Sequence, residues 1–201
     1  MRQLVLASGN AGKLREFDAL LRPLGWAVQP QSAWAVPDCP EPHHTFIENA
    51  LAKARHAAAH TQLPALSDDS GLCVAALGGA PGVRSARFAC ATDSDAKNDA
   101  ANNAKLLQLM AGIAHRQVYF VTVLVAVKSA TDPEPLIAIG RWHGRVALTA
   151  DGEHGFGYDP LFICAQAGVS AARLSAEQKS ACSHRGLATR QMINLIQSAW
   201  G

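Results

Sequence analysis

The sequence has no C-x-x-C pair, no apolar run long enough to span a membrane, and almost no excess of either charge. Its five cysteines, Cys39, Cys73, Cys90, Cys164 and Cys182, are odd in number and widely spaced. They fit reduced, mostly buried thiols of the cytosol and argue against a disulfide framework or a zinc site. A net charge of +2 over 201 residues is too near neutral for a nucleic-acid backbone binder or a membrane-surface protein. Residues 1–7 are too short for a signal peptide and pass straight into a glycine loop. Internal repeats, low-complexity segments and linkers are also missing. What is present is 49% hydrophobic, enough to build the core of a single domain of one or two lobes. A cytoplasmic protein is expected.

The chain is organised around Leu66-Ser67-Asp68-Asp69-Ser70-Gly71-Leu72. Pro64-Ala65-Leu66 reads as the end of a buried strand and Gly71 as a sharp turn of the backbone. Strand ends in α/β proteins open onto the ligand crevice, so the acidic pair is expected to face a ligand. Adjacent carboxylates beside a phosphate site suit a hard divalent cation. The competing reading is an Asx turn, with Asp68 or Asp69 bonded to the backbone two residues on.

Earlier in the chain, Leu4-Val5-Leu6-Ala7 predicts a buried parallel strand. Ser8-Gly9-Asn10-Ala11-Gly12-Lys13 follows, then a helix with Leu14, Phe17, Leu21 and Leu24 on one face, stopped by Gly25. Strand, glycine loop and helix can hold phosphate, although the Walker spacing is absent and a plain turn fits as well. Lys13 in the first helical turn is repelled by the helix dipole, which calls for a neutralising anion. Trp26-Ala27-Val28 predicts a second strand, and residues 31–42 an irregular loop. Thr45-Phe46-Ile47-Glu48 is a capping box opening a helix over 45–60, with Asn49, Lys53, His56 and His60 along one face. Glu48 is read as a cap first. His56 and His60 are read as a solvated pair, because the zinc-protease glutamate is missing.

Beyond the acidic pair, residues 73–77 continue the core, and residues 78–87 form a glycine-rich loop ending in Arg84 and Arg87. That loop closes over an anion or is a surface turn. A polar stretch, 92–103, leads into a helix using Leu106, Leu107, Leu109 and Met110. Residues 118–127 and 136–148 predict two long strands in an antiparallel hairpin. Gly155-Phe156-Gly157-Tyr158-Asp159-Pro160 can present an aromatic ring to a purine or plug a core. Ser175-Ala176-Glu177-Gln178 caps a short helix carrying Lys179, and Ser183-His184-Arg185-Gly186 leads into a last helix with Leu187, Met192, Ile193 and Ile196. Arg185 and His184 suit a phosphate or a base edge, or simply face water at a helix start.

As an ordered set, residues 8–13, 45–50, 67–72, 78–82, 156–160 and 183–185 resemble the motifs of the inosine/xanthosine triphosphate pyrophosphatase family. The likeness runs from Leu4 to about Ile196. It implies an α/β fold with a central mixed sheet flanked by helices, and two lobes with a substrate cleft between them. It also implies a homodimer, dependence on Mg²⁺, and hydrolysis of ITP, dITP and XTP to monophosphate and pyrophosphate.

The resemblance assigns residues as well. Ser8, Gly9, Asn10, Ala11, Gly12, Lys13 and Lys53 would hold the triphosphate. Asp69 would be the general base and a metal ligand, with Glu41 and Asp68 beside it and Ser70 touching substrate. Phe156, Gly157, Tyr158 and Asp159 would pack around the nucleoside, and Lys179, His184 and Arg185 would complete the pocket. Pro42 stands where many relatives have glycine shortly after the glutamate, which alters the loop carrying Glu41. Two other readings use the same motifs: a pyrophosphatase for other modified nucleotides, and a non-catalytic purine nucleotide-binding module. Two carboxylates beside a polyanion weaken binding unless a metal is present, which argues against the module.

Overall fold

The computed structural model describes residues 1–92 and 95–201; Asp93 and Ser94, inside the polar stretch 92–103, lie outside the described residues. The strands are β1 (Arg2–Leu6), β2 (Trp26–Pro30), β3 (Ala65–Val74), β4 (Gln117–Val127), β5 (Leu136–Val146) and β6 (Phe162–Cys164). The helices are α1 (Ala11–Leu21), α2 (Phe46–Thr61), α3 (Asp99–Leu109), α4 (Ala176–Cys182) and α5 (His184–Trp200). One six-stranded sheet has the order β2-β1-β3-β4-β5-β6. It is mixed: β1 is parallel to β2 and β3, and β5 is antiparallel to β6. The expected α/β class is therefore present, and the two long predicted strands are neighbours as β4 and β5.

The chain divides into two units, with boundaries inside β3, β4, β5 and α5. The first holds residues Met1–Asp69, Thr122–Gly140 and Leu187–Gly201; the second holds Ser70–Val121 and Arg141–Gly186. Each has its own core. In the first unit, Leu4, Leu6, Leu66 and Leu124 of the strands pack with Phe17 and Leu21 of α1 and Met192 and Ile196 of α5. Trp26 and Trp200 meet with ring centroids 5.7 Å apart. In the second unit, Leu72 and Val74 pack with Leu106 and Met110 of α3 and with an aromatic group of Phe120, Trp142 and Phe162.

Successive helical residues are turned by about 100°, so i, i+3 and i, i+4 partners share a face while the residue beside a buried one turns well away from it. Ala188, Met192 and Ile196 are buried on α5, and Leu106 and Met110 on α3. Leu187 and Leu109, each one residue off those stripes, are 40% and 43% exposed despite their apolar character. α1 ends as expected, with a 3-10 turn at Arg22–Leu24 closed by the Gly25 N–H on the Arg22 carbonyl. α2 begins one residue later than predicted, at Phe46. Thr45 is its cap: Oγ1 accepts from the Glu48 N–H at 3.2 Å and donates to the Glu48 carboxylate at 2.6 Å.

Three expectations need correction. Gly71 is no turn, because β3 runs through it from Ala65 to Val74. The core does not run unbroken from Cys73 to Leu77: Ala75 and Ala76 are exposed in a 3-10 turn, and the partly buried Leu77 packs back against the core of the second unit. Only Cys73 and Cys164 of the five free cysteines are buried; Cys39, Cys90 and Cys182 are partly exposed. Among the described residues no helix is long and apolar enough to cross a membrane.

Candidate active site

Because β3 is extended through Asp68 and Asp69, its side chains alternate between two faces. Ser67 donates to the Ala50 carbonyl of α2 at 2.5 Å, and Asp69 accepts from Asn49 of α2 at 3.2 Å. Asp68, between them in sequence, points the other way and meets Lys13 of α1 at 2.6 and 2.7 Å. Both aspartates are buried. The acidic pair is thus neither a strand end nor an Asx turn: it lies within a strand, with each carboxylate held by a different helix.

The anion that Lys13 requires is supplied by the protein itself, in Asp68. The expected phosphate loop is also internally satisfied. Asn10 caps α1 through its side-chain oxygen, which accepts from the Gly12 and Lys13 N–H groups at 2.8 and 3.1 Å. Ser8 Oγ accepts from the Asn10 N–H at 3.2 Å. The Asn10 oxygen therefore stands where a phosphate oxygen would sit on the same donors. Gly9 and Ala11 complete the loop and are exposed.

Around Asp69 a second cluster forms. Lys53 of α2 donates to Glu41 at 2.5 Å and lies 3.7 Å from Asp69. Burial pulls the Lys53 ammonium down, but Asp69, Glu41 and Asp68 outweigh it and hold the pKa above the usual lysine value. Burial pushes Asp69 the other way, up to about 6; Lys53 and Asn49 oppose the rise, and Glu41 and Asp68 add to it. Asn49 has a further role, accepting from the His43 N–H at 3.1 Å and donating to the His43 carbonyl at 3.3 Å. It ties the loop after Glu41 to α2. Pro42 has not carried Glu41 away from Lys53.

Glu41 and Asp69 are hard oxygen donors converging on one cation, the Lys53 ammonium. That donor set fits Mg²⁺, which takes one or two carboxylates and completes its shell with phosphate oxygens and water. Among the described residues no group of three or more His, Cys, Asp or Glu side chains could hold a metal. Asp68, expected as a third ligand, is on Lys13 instead. His56 and His60 stack on each other at 4.3 Å, with His56 Nε2 on the Pro37 carbonyl at 2.9 Å and His60 Nδ1 on the His56 carbonyl at 2.8 Å.

The remaining predicted residues belong to the second unit. Ser70 begins it, partly buried in β3. In the glycine–aromatic loop the two rings differ. Phe156 is 64% exposed, with the Lys179 ammonium 5.0 Å from its centroid. Tyr158 is buried in the core, its hydroxyl donating to the Ser85 carbonyl at 2.8 Å. Burial, with Asp99 nearby, holds the Tyr158 pKa above its usual value. Asp159 is buried, accepts from the Phe156 N–H at 2.9 Å and is ion-paired with Lys179. His184, at the start of α5, lies parallel to Phe120 at 4.8 Å and 11°, and to Trp142 at 6.2 Å and 15°. Arg185 Nε is buried and has no hydrogen-bond partner among the described residues.

These two clusters sit in a chain whose residues 4–195 match the Ham1 family profile. The chain belongs to the Ham1 family. A protein of Chromobacterium violaceum named dITP/XTP pyrophosphatase is 59% identical over 196 residues, 98% of each chain. One of the same name from Aromatoleum aromaticum is 55% identical over 197 residues, again 98% of each. A HAM1 protein from Coxiella burnetii has a structure similar to this one at a TM-score of 0.93 and 43% identity, covering 99% of this chain and 100% of that one. The Staphylococcus aureus Ham1 protein follows at 0.90 and 34%, covering 98% and 99%.

Sequence reasoning placed Asn49 beside Lys53 on α2 without giving it a task, and it missed Phe120 and Trp142, which set the His184 ring. The i, i+4 spacing of Asn49 and Lys53 was the available signal. No local signal exists for the aromatic stack, since its members are far apart in the chain. In this Ham1-family loop Gly155 has φ +86°, and a Cβ there would come within 2.1 Å of the Asp159 carboxylate. Gly155→Ala is therefore expected to displace Asp159 from Phe156 N–H and Lys179 and to cost about 1–3 kcal/mol. A thermal melt beside wild type checks this, and an unchanged melt would contradict it.

Proposed function

We propose that this chain is a single functional domain that hydrolyses deaminated purine nucleoside triphosphates, ITP, dITP and XTP, to the monophosphate and pyrophosphate. The observation that carries the reading is the buried Asp69 carboxylate, which shares the Lys53 ammonium with Glu41. The names of relatives 55% and 59% identical over nearly the whole chain support dITP and XTP among these substrates.

Cleaving the α–β bond requires an in-line water and a stabilised leaving pyrophosphate. Asp69, raised to about 6, is mostly ionised at neutral pH yet basic enough to take the proton of that water. Lys53, kept protonated by its carboxylates, places a fixed positive charge where the pyrophosphate departs. Lys13 and the residues 8–13 loop would take the outer phosphates by exchanging Asp68 and the Asn10 side chain, which now occupy their donors. Glu41 and Asp69 would hold Mg²⁺, which when bound neutralises phosphate charge. Ser70 would contact substrate next to Asp69.

Hypoxanthine and xanthine carry a 6-oxo acceptor where adenine carries an amino donor. Arg185 Nε, which has no hydrogen-bond partner among the described residues, is a donor that a base carbonyl would satisfy, with His184 beside it and Lys179 six residues earlier in the chain. Adenine would leave such donors unpaired, at about 1–3 kcal/mol each. Phe156 would give the base an aromatic face, while Gly157, Tyr158 and Asp159 shape the loop that carries it. The protein works as a cytoplasmic homodimer and has no nucleic-acid or membrane partner.

Pyrophosphate release from ITP, XTP, dITP, GTP and ATP, with and without Mg²⁺, tests the proposal. Fast Mg²⁺-dependent release from the first three and little from GTP and ATP is expected. Equal rates on all five would refute the base selection, and binding without release would refute the chemistry.

A further inference from the structure

We infer that Asp99 and Asn103 of α3 are positioning residues that set the base-facing loop by gripping both backbone polar groups of one of its residues, Gly157. Asp99 accepts from the Gly157 N–H at 2.7 Å, and Asn103 Nδ2 donates to the Gly157 carbonyl at 2.9 Å. Both polar groups of one loop residue are thus held by side chains four apart, which share a helix face. Gly157 follows Phe156 directly, so the direction of the Phe156 ring depends on where this glycine is held. The neighbouring contacts leave little slack. Tyr158 is fixed to the Ser85 carbonyl, and Asn102 of the same helix donates to the Ala86 carbonyl at 3.1 Å and accepts from the Ala89 N–H at 2.7 Å. Asn103 donates with its amide while its side-chain oxygen is buried with no hydrogen-bond partner among the described residues. That is the cost of aiming the donor at Gly157.

The competing role for Asp99 is a first-turn acidic residue favoured by the helix dipole. That role would change stability and leave base recognition alone. This inference rests on the purine triphosphate reading given above, and its test separates the two.

Binding of ITP and of inorganic tripolyphosphate, which has the phosphates but no base, is measured by calorimetry on the full-length protein and its variants, beside ITP turnover. Asp99→Ala and Asn103→Ala are each expected to weaken ITP binding and raise KM by about tenfold, the loss of one positioning hydrogen bond. kcat should stay within about twofold of wild type, and tripolyphosphate binding should not change. Asp99→Asn, which keeps an acceptor for the Gly157 N–H, should recover most of the ITP affinity. Unchanged ITP affinity in both alanine variants would overturn the inference. So would equal weakening toward ITP and tripolyphosphate, or an Asp99→Asn variant no better than Asp99→Ala. A wild-type protein that binds ITP without hydrolysing it would instead refute the proposed function while leaving this comparison readable.

Discussion

Asp69→Asn is expected to cut ITP turnover by about 10²–10⁴-fold, the range for removing a general base, in a protein that still folds. The asparagine keeps the shape, and its oxygen can still accept from Asn49 as Asp69 does. Steady-state pyrophosphate release reads the effect, and an active variant would sink the assignment. The same substitution makes a signed prediction about stability without metal. The Asp69 carboxyl titrates at about 6 when folded, against 3.8 for the ordinary group. Between those values the folded state holds a proton that the unfolded state has lost, so stability falls as pH rises through the window and stays reduced above it. Asp69→Asn removes that dependence. With a chelator present, the variant should match wild type near pH 3.5 and exceed it by about 2–3 kcal/mol at pH 8. Urea denaturation at the two values checks this, and a variant less stable than wild type at pH 8 would contradict it.

Lys13→Ala is expected to destabilise the first unit strongly although it removes no core side chain. It takes the lysine from Asp68, whose side chain is 4% exposed. Removing one partner of a buried pair costs about 3–5 kcal/mol, because the remaining charge keeps its desolvation penalty. Lys13 is itself 16% exposed, which places the expected loss at the lower end, near 3 kcal/mol. Adding Asp68→Asn should restore most of the stability, since it removes the charge that was stranded. Urea midpoints of the single and double variants decide the matter. If the double variant is no more stable than Lys13→Ala alone, Lys13 acts by some route other than Asp68.

Both predictions depend on a feature that local reading misplaced. Ser67-Asp68-Asp69-Ser70-Gly71 has the composition of a turn, and by composition alone it should be one. In the fold it is the middle of β3. A strand can carry two adjacent carboxylates into the interior only if each finds a cation or donors on its own side. α1 brings Lys13 to one and α2 brings Lys53 and Asn49 to the other. Those partners are 55, 16 and 20 residues away in the chain, beyond any window over which propensity or periodicity operates. The same distance hid the Phe120 and Trp142 stack on His184.

Features governed by neighbours within a turn or two were legible from the residues alone. The Thr45 and Ser175 caps, the Gly25 stop, the apolar stripes of α1 and α5 and the extended β4 and β5 all arise from local geometry, and they appear where expected. Leu109 and Leu187 departed from expectation because a residue's burial depends on what packs against its side of the helix, and their own apolar character does not settle that. The sequence by itself thus determined the α/β class, the element order and, as an ordered set of motifs, the family. Only the tertiary structure decided that Asp68 pairs with Lys13 while Asp69 faces Lys53 and Glu41. The physical reason is that a buried charge is tolerated only beside its compensating partner, and that partner is chosen by the packing of helices on the sheet.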